Sequence, residues 1–376
     1  MRTSIGLAAI VVLLAIYAAA VVIQSHQPRS LARADGSWPV GRIRLDVAVP
    51  AADRIAGPPG DSVWLWYPSV VNRGLPRAPY APGLWNAMHL TGPIGELETN
   101  FNDLQVRARE NSRPGAGRFP LIILQPGLGF SAPQYQALAE DLASAGFVVA
   151  GITPTGSANT TVVGGRVIGS SPDGNLPDAN THRGKGLEAA DRLLRQWSDA
   201  ATVVAGTVRQ NKIISAHLRP GAVYVGHSFG GAASLQACRD DPGCLGAVDL
   251  DGAQYGNVVG TGLDRPLMLI SSADSCITGT CPAGSPDNPD DRHTAATLLR
   301  NSSGPSWCES IAGTRHFNFS DYGDYYIAYP LRKLLALGPV DGDRATRTID
   351  AAVIAFARRA STGAPQPELS AMGRCS

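Results

Sequence analysis

The chain has 376 residues, a formal net charge of +1 and only 17% charged residues. Its length is enough to bury a large core, and no basic stripe of the kind that binds nucleic acid is present.

From the N-terminus, an uncharged apolar run, Ile5 to Ile23, ends at Gln24-Ser25-His26. As a helix it would be roughly 28 Å long, which suits one bilayer crossing. Residues 1–23 therefore read as a transmembrane signal-anchor, or as a signal peptide cleaved after Ala18-Ala19-Ala20. Either reading places the remainder outside the cytoplasm, tethered to the cell membrane or secreted. Residues 24–40, with Pro28, Gly36 and Pro39, read as a linker, and 41–376 as one catalytic domain. Ile43 to Val49 alternates as a half-buried strand does; Gly57-Pro58-Pro59-Gly60 is a turn, and Val63 to Tyr67 a second strand stopped by Pro68. These two strands open the sheet in antiparallel fashion. Residues 69–118 are rich in Pro, Gly and Asn and read as irregular, with a short helix at Leu84 to Leu90, lying over the site or against a lipid surface, or forming a plain surface excursion.

From Phe119 the rhythm becomes strand and helix in alternation. Strands are expected at Leu121–Leu124, Phe147–Ala150, Ala222–Val225, Ala247–Leu250 and Pro266–Ile270, and near Ser310 to Ala312. Helices are expected at Gln134–Ala145, Leu187–Gln210 and Ile349–Arg359, with a loop insertion from Thr153 to Gly186. The pattern implies an α/β fold with a mainly parallel sheet covered by helices on both faces.

The chemistry is concentrated at Gly226-His227-Ser228-Phe229-Gly230. An apolar strand runs into Gly-x-Ser-x-Gly, and a small-residue helix follows, the context of a nucleophile elbow. The sharp turn exposes the Ser228 hydroxyl above the sheet. A serine nucleophile needs a base, and only His293 and His316 follow it in the chain. His293 lies in the polar stretch Asp290-Asp291-Arg292-His293, read as a helix start, whereas His316 sits just past a strand, in a loop that can carry an imidazole over the sheet edge. The acid that orients the imidazole is Asp251 or Asp274, each at a strand end; Asp249, one strand period before Asp251, belongs deeper in the sheet. Two backbone amides, those of Leu128 and Phe229, are placed to form an oxyanion hole. The Gly127-Leu128-Gly129 cluster lacks the Gly-Lys-Ser/Thr of a phosphate loop, and Ala132 stands where a dinucleotide fingerprint needs its last glycine. No cofactor and no metal is expected. The spacing of Cys276, Cys281 and His293 matches no common zinc pattern. The six cysteines suit an exported protein, with Cys238/Cys244 and Cys276/Cys281 spaced to close small loops.

Taken together, Trp64-Leu65-Trp66-Tyr67-Pro68, Gly127-Leu128-Gly129, Gly226-His227-Ser228-Phe229-Gly230-Gly231-Ala232, Leu250-Asp251 and His316-Phe317-Asn318-Phe319-Ser320-Asp321 resemble the plasma-type platelet-activating factor acetylhydrolase family of α/β-hydrolases. The resemblance runs in matching order from about residue 40 to 330, with Gln125-Pro126 where the family has Ser-His. It implies a calcium-independent serine esterase acting on short-acyl phospholipids or small esters through an acyl-enzyme. Its catalytic residues would be Ser228, Asp251 and His316, with Leu128 and Phe229 as oxyanion donors. Competing readings are a polyester or cutinase-like hydrolase using Asp274, and an inactive hydrolase fold that binds lipid at the envelope.

Overall fold

A computed structural model describes residues 2–31, 36–50, 55, 60–71, 74–177 and 181–375, with side chains from residue 9 onward. Most of the expected turn at Gly57–Gly60 lies outside the described residues.

Among the described residues, ten strands form one sheet. Across it run Gly373–Arg374, Ser306–Ser310, Leu267–Ser271, Cys244–Leu250, Leu218–His227, Phe119–Gln125, Val148–Thr153, Asp61–Pro68, Val40–Val47 and Arg109–Glu110. The central pairs, from Ser306–Ser310 to Val148–Thr153, are all parallel. Asp61–Pro68 joins antiparallel to both of its neighbours, as the N-terminal pattern implied.

Alternation within the apolar strands explains the two helical layers. Ile122, Leu124, Val223, Val225, Val248 and Leu250 join one core with Leu138 and Leu142 of helix Gln136–Ser144 and Val353 and Phe356 of helix Gly342–Thr362. The intervening Leu121, Ile123, Ala222, Tyr224 and Ala247 join the opposite core with Ala201, Val204 and Val208 of helix Gly184–Gln210. Burying each such Leu, Ile or Val stabilises by about 1.5–3 kcal/mol. A polar residue at any of these positions would therefore be felt in the fold.

Four expectations change. The strand near Ser310–Ala312 lies earlier, at Ser306–Ser310, because Trp307 is the buried residue that pairs beside Met268. The Thr153–Gly186 insertion contains a hairpin, Thr161–Val163 against Arg166–Ile168, turned by Gly164 and Gly165 at positive φ. Residues 69–118 are not a loose excursion: Tyr80, Trp85, Phe101 and Val106 are buried in the same core as Trp64 and Trp66, and Leu84–Leu90 holds a 3-10 turn at Gly83–Met88.

The membrane-crossing helix is the fourth. The apolar run is helical, Arg2–Ser25, but among the described residues no helix is long and apolar enough to cross a membrane. Its C-terminal end docks on the body: Val21 is buried, the Ser25 hydroxyl meets Glu96 at 2.6 Å, and the Ser25 carbonyl accepts from the Asn100 amide at 2.7 Å. Arg29–Ser30 then pairs with Leu104–Gln105.

Three disulfides are formed, Cys238–Cys244, Cys276–Cys281 and Cys308–Cys375. The last fastens the C-terminal strand to Ser306–Ser310 across a sequence separation of 67.

Candidate active site

Parallel register brings the C-terminal ends of the central strands to one edge: Gly226 pairs with Gln125, and His227 with Leu250. Four loops leave from that edge. They carry Leu128, Ser228, Asp251 and His316, so residues separated by nearly 190 positions in the chain converge without any of them leaving its own strand end.

Ser228 is the elbow. Its φ of 55° and ψ of −128° lie where non-glycine residues seldom go, and its amide is held by the Leu250 carbonyl at 2.8 Å. The flanking glycines make the turn sterically feasible. A Cβ on Gly226 would lie 2.0 Å from the Gly230 carbonyl oxygen, and one on Gly230 would lie 2.2 Å from that of Pro126. Helix Phe229–Asp240 starts immediately after, so the positive end of its dipole lies at this turn, with the Gly231 amide donating back to the Ser228 carbonyl at 2.8 Å.

The candidate base and acid follow in line. His316 Nε2 lies 2.9 Å from Ser228 Oγ, and His316 Nδ1 lies 2.8 Å from Asp251 Oδ2. Asp251 is itself held, its amide donating to Ile270 O at 2.7 Å and its Oδ1 accepting from the Ser272 amide at 2.6 Å. Its side chain is 2% exposed, while that of His316 is 35% exposed, open to an incoming substrate. Asp274 is drawn elsewhere: Arg315 Nε donates to its Oδ2 at 2.7 Å. Asp249 is fully buried, accepts from the Gly252 amide and Gln254 Nε2, and is pushed well above the usual carboxylate range by burial. His293 stands exposed within helix Pro289–Asn301.

The Phe229 amide is the first of its helix and has no intrahelical acceptor. On the facing loop, the Gly127 amide donates to Tyr135 Oη at 2.8 Å and the Phe130 amide to the Gly127 carbonyl at 3.0 Å, with Leu128 between them. A Cβ on Gly127 would come within 3.3 Å of Ser228 Cβ, so this loop packs directly on the nucleophile. The Phe229 ring points into the core against Trp197 and Tyr255.

One part of the arrangement has no counterpart in the sequence reading. His227 is buried, with Nε2 2.9 Å from the His316 carbonyl and Nδ1 2.7 Å from Tyr135 Oη. Burial, and then the adjacent His316 ring, push its pKa well below the ordinary value, so the ring is neutral. A carbonyl only accepts, hence Nε2 carries the proton, Nδ1 accepts from the tyrosine hydroxyl, and that oxygen accepts from Gly127. One directed chain thus ties the base loop to the oxyanion loop. Asn318 adds a second fastening, its Oδ1 accepting from the amides of Arg315 and Gly338. The middle residue of a Gly-x-Ser-x-Gly motif gives no hint of this, since the Tyr135 partner lies 92 positions away.

A parallel, doubly covered sheet with a Gly-x-Ser-x-Gly elbow at its C-terminal edge defines an α/β-hydrolase fold. Within that class, residues 25–164 match the family described as platelet-activating factor acetylhydrolase, isoform II, which bears out the resemblance over a stretch containing the oxyanion loop. Among solved structures, a ferulic acid esterase from Streptomyces cinnamoneus has a similar fold. It superposes with a TM-score of 0.72 over 91% of this chain and 96% of its own, at 24% identity. No curated protein matches the chain in sequence.

Proposed function

We propose that this chain is an exported serine hydrolase of small carboxylic esters, working through an acyl-enzyme on Ser228. The observation that carries the reading is the continuous line Ser228 Oγ–His316 Nε2, His316 Nδ1–Asp251 Oδ2, at 2.9 and 2.8 Å, on a strained elbow. The family match to an acetylhydrolase and the fold shared with an esterase support ester hydrolysis as the reaction class. Three disulfides support an oxidising compartment.

In this mechanism Ser228 Oγ attacks the ester carbonyl while His316 Nε2 takes its proton. Asp251 holds the imidazole with Nδ1 protonated and offsets the charge that develops on it. The tetrahedral oxyanion sits against the Leu128 and Phe229 amides, where a single donor is worth roughly 3–4 kcal/mol of barrier. Collapse expels the alcohol with the proton from His316. Water, activated by the same imidazole, then releases the acid and restores Ser228. The substrate class is a short-acyl phospholipid or a small ester; the esterase neighbour, named for ferulic acid, adds aryl esters to that range. The engagement of Asp274 by Arg315 counts against a mechanism that uses Asp274.

A fluorophosphonate probe tests the reading. Wild-type protein should be labelled at Ser228 and turn over 4-nitrophenyl acetate, and Ser228→Ala should do neither. A folded wild type that is neither labelled nor active would instead fit an inactive binding protein.

A further inference from the structure

The loop that carries His316 is fastened at its far end by a residue that the steps at Ser228 do not use. Asp321 carries a carboxyl group and yet is only 2% exposed. Its Oδ2 accepts from the Gln136 amide at 2.8 Å and from the Tyr80 hydroxyl at 3.1 Å, and its Oδ1 accepts from the Ala137 amide at 3.1 Å. Its own amide donates to the Gln134 carbonyl at 2.9 Å. Gln136 and Ala137 open helix Gln136–Ser144, where the first amides have no acceptor within the helix. A helix start is ordinarily capped by the residue just before it. Here that residue is Tyr135, whose side chain gives no cap and whose hydroxyl is engaged with Gly127 and His227. The cap comes instead from Asp321, 185 positions along the chain from Gln136.

The consequence is geometric. The segment from His316 to Asp321 is held at both ends on the residues around Tyr135. At its start the His316 carbonyl accepts from His227, which is bonded to Tyr135; at its end Asp321 grips positions 134, 136 and 137. Asn318 ties the middle of the segment to Gly338, outside the oxyanion loop. Tyr135 in turn receives the Gly127 amide, next to Leu128. We propose that Asp321 is a positioning residue, which caps helix Gln136–Ser144 from the base loop and thereby fixes His316 relative to the oxyanion donors. The proposal rests on the ester hydrolysis argued above and adds to it a residue that acts through others.

The test measures kcat and KM on 4-nitrophenyl acetate, with kcat counted per Ser228 labelled to completion by a fluorophosphonate, so that only folded enzyme enters. Asp321→Asn sets an NH2 group against one of the three donors. It should lower kcat by about tenfold to a hundredfold, as a displacement on the order of 1 Å does, with KM within about twofold of wild type. Glu140→Gln is the control. Glu140 is buried on the same helix and accepts from the Arg107 and Ala108 amides at 2.9 and 2.6 Å, but it bonds to no residue of the base loop. Its kcat should stay within about twofold of wild type, whatever happens to the melting midpoint. An unchanged kcat in Asp321→Asn, or an equal fall in Glu140→Gln, would overturn the positioning role while leaving ester hydrolysis intact. Should Asp321→Asn not fold, Tyr80→Phe keeps the ring against Phe101 and Tyr325 and removes one donor. That variant should lose about threefold or more in kcat, and an unaltered value would count against the role just as firmly. A wild type that the probe does not label at Ser228 would overturn the reaction itself, and the role with it.

Discussion

Replacing Asp251 with asparagine changes one atom, and the surrounding bonds decide what that does. Oδ1 accepts from the Ser272 amide at 2.6 Å, so the asparagine must put its oxygen there. Its NH2 is then forced toward His316 Nδ1, at the position where Oδ2 now stands 2.8 Å away. A donor facing Nδ1 moves the imidazole proton to Nε2, which then donates to Ser228 Oγ and can no longer take its proton. Loss of the correct tautomer with geometry otherwise intact lowers kcat by about 10⁴, or about 5.4 kcal/mol of barrier. The assay is turnover of 4-nitrophenyl acetate at saturating substrate, with thermal midpoint as the control for folding. Asp274→Asn, read in parallel, should stay within about tenfold of wild type, because its carboxylate serves a partly exposed pairing with Arg315 and a hydrogen bond from the Ser272 hydroxyl, neither of which touches His316. The reasoning is refuted if Asp251→Asn keeps a tenth or more of the activity, or if Asp274→Asn is the inactive variant.

Tyr135→Phe should strand the Gly127 amide and His227 Nδ1, costing about 1–3 kcal/mol of stability and lowering kcat more than it raises KM. A variant with wild-type kcat would show that the chain of bonds does not position the loops. Burial pushes Glu98 up to about 7 from 4.5, with Tyr322 and the Leu90 amide pulling the other way and Tyr325 and Tyr326 also facing it. A raised acid stabilises the fold while protonated, fully below about pH 4.5, and that contribution is lost as pH rises through about 7. Glu98→Gln should therefore gain on wild type between pH 5 and pH 8, by at most about 3 kcal/mol in urea unfolding; an identical difference at both pH values would contradict the assignment. Removing the Cys308–Cys375 bond as a double serine variant reopens the longest disulfide loop and should lower stability by up to about 4 kcal/mol, read from denaturant midpoints. A loss under about 1 kcal/mol would mean that the C-terminal strand is held by packing alone.

How much of this was legible beforehand follows from which interactions are local. Ser228 was visible because an elbow is made by adjacent residues: the strand, the two glycines and the helix start all lie within a dozen positions. His316 could be reached by chain order, and the continuous apolar strands announced a sheet covered on both faces. The short loops of Cys238–Cys244 and Cys276–Cys281 were readable for the same local reason, whereas the Cys308–Cys375 pair depends on where the C-terminal strand lands.

What spacing left open differs in space. Asp251 and Asp274 both follow strands and are equivalent along the chain. The left-handed backbone at Asp251, φ 58°, and the grip of Ile270 and Ser272 aim one carboxylate at His316, while Arg315 holds the other. His227, Tyr135 and Gly127 become one chain of bonds, and Glu98 and His89 meet in one pocket, only because strand register and the packed 69–118 segment bring distant residues together. By itself, then, the sequence determined the proposed nucleophile, its proposed base and the layered sheet, since these rest on neighbours and periodicity. The tertiary structure alone decided the acid's partner, the coupling of the two active-site loops and the shape of the pocket, because those depend on contacts whose order along the chain carries no signal.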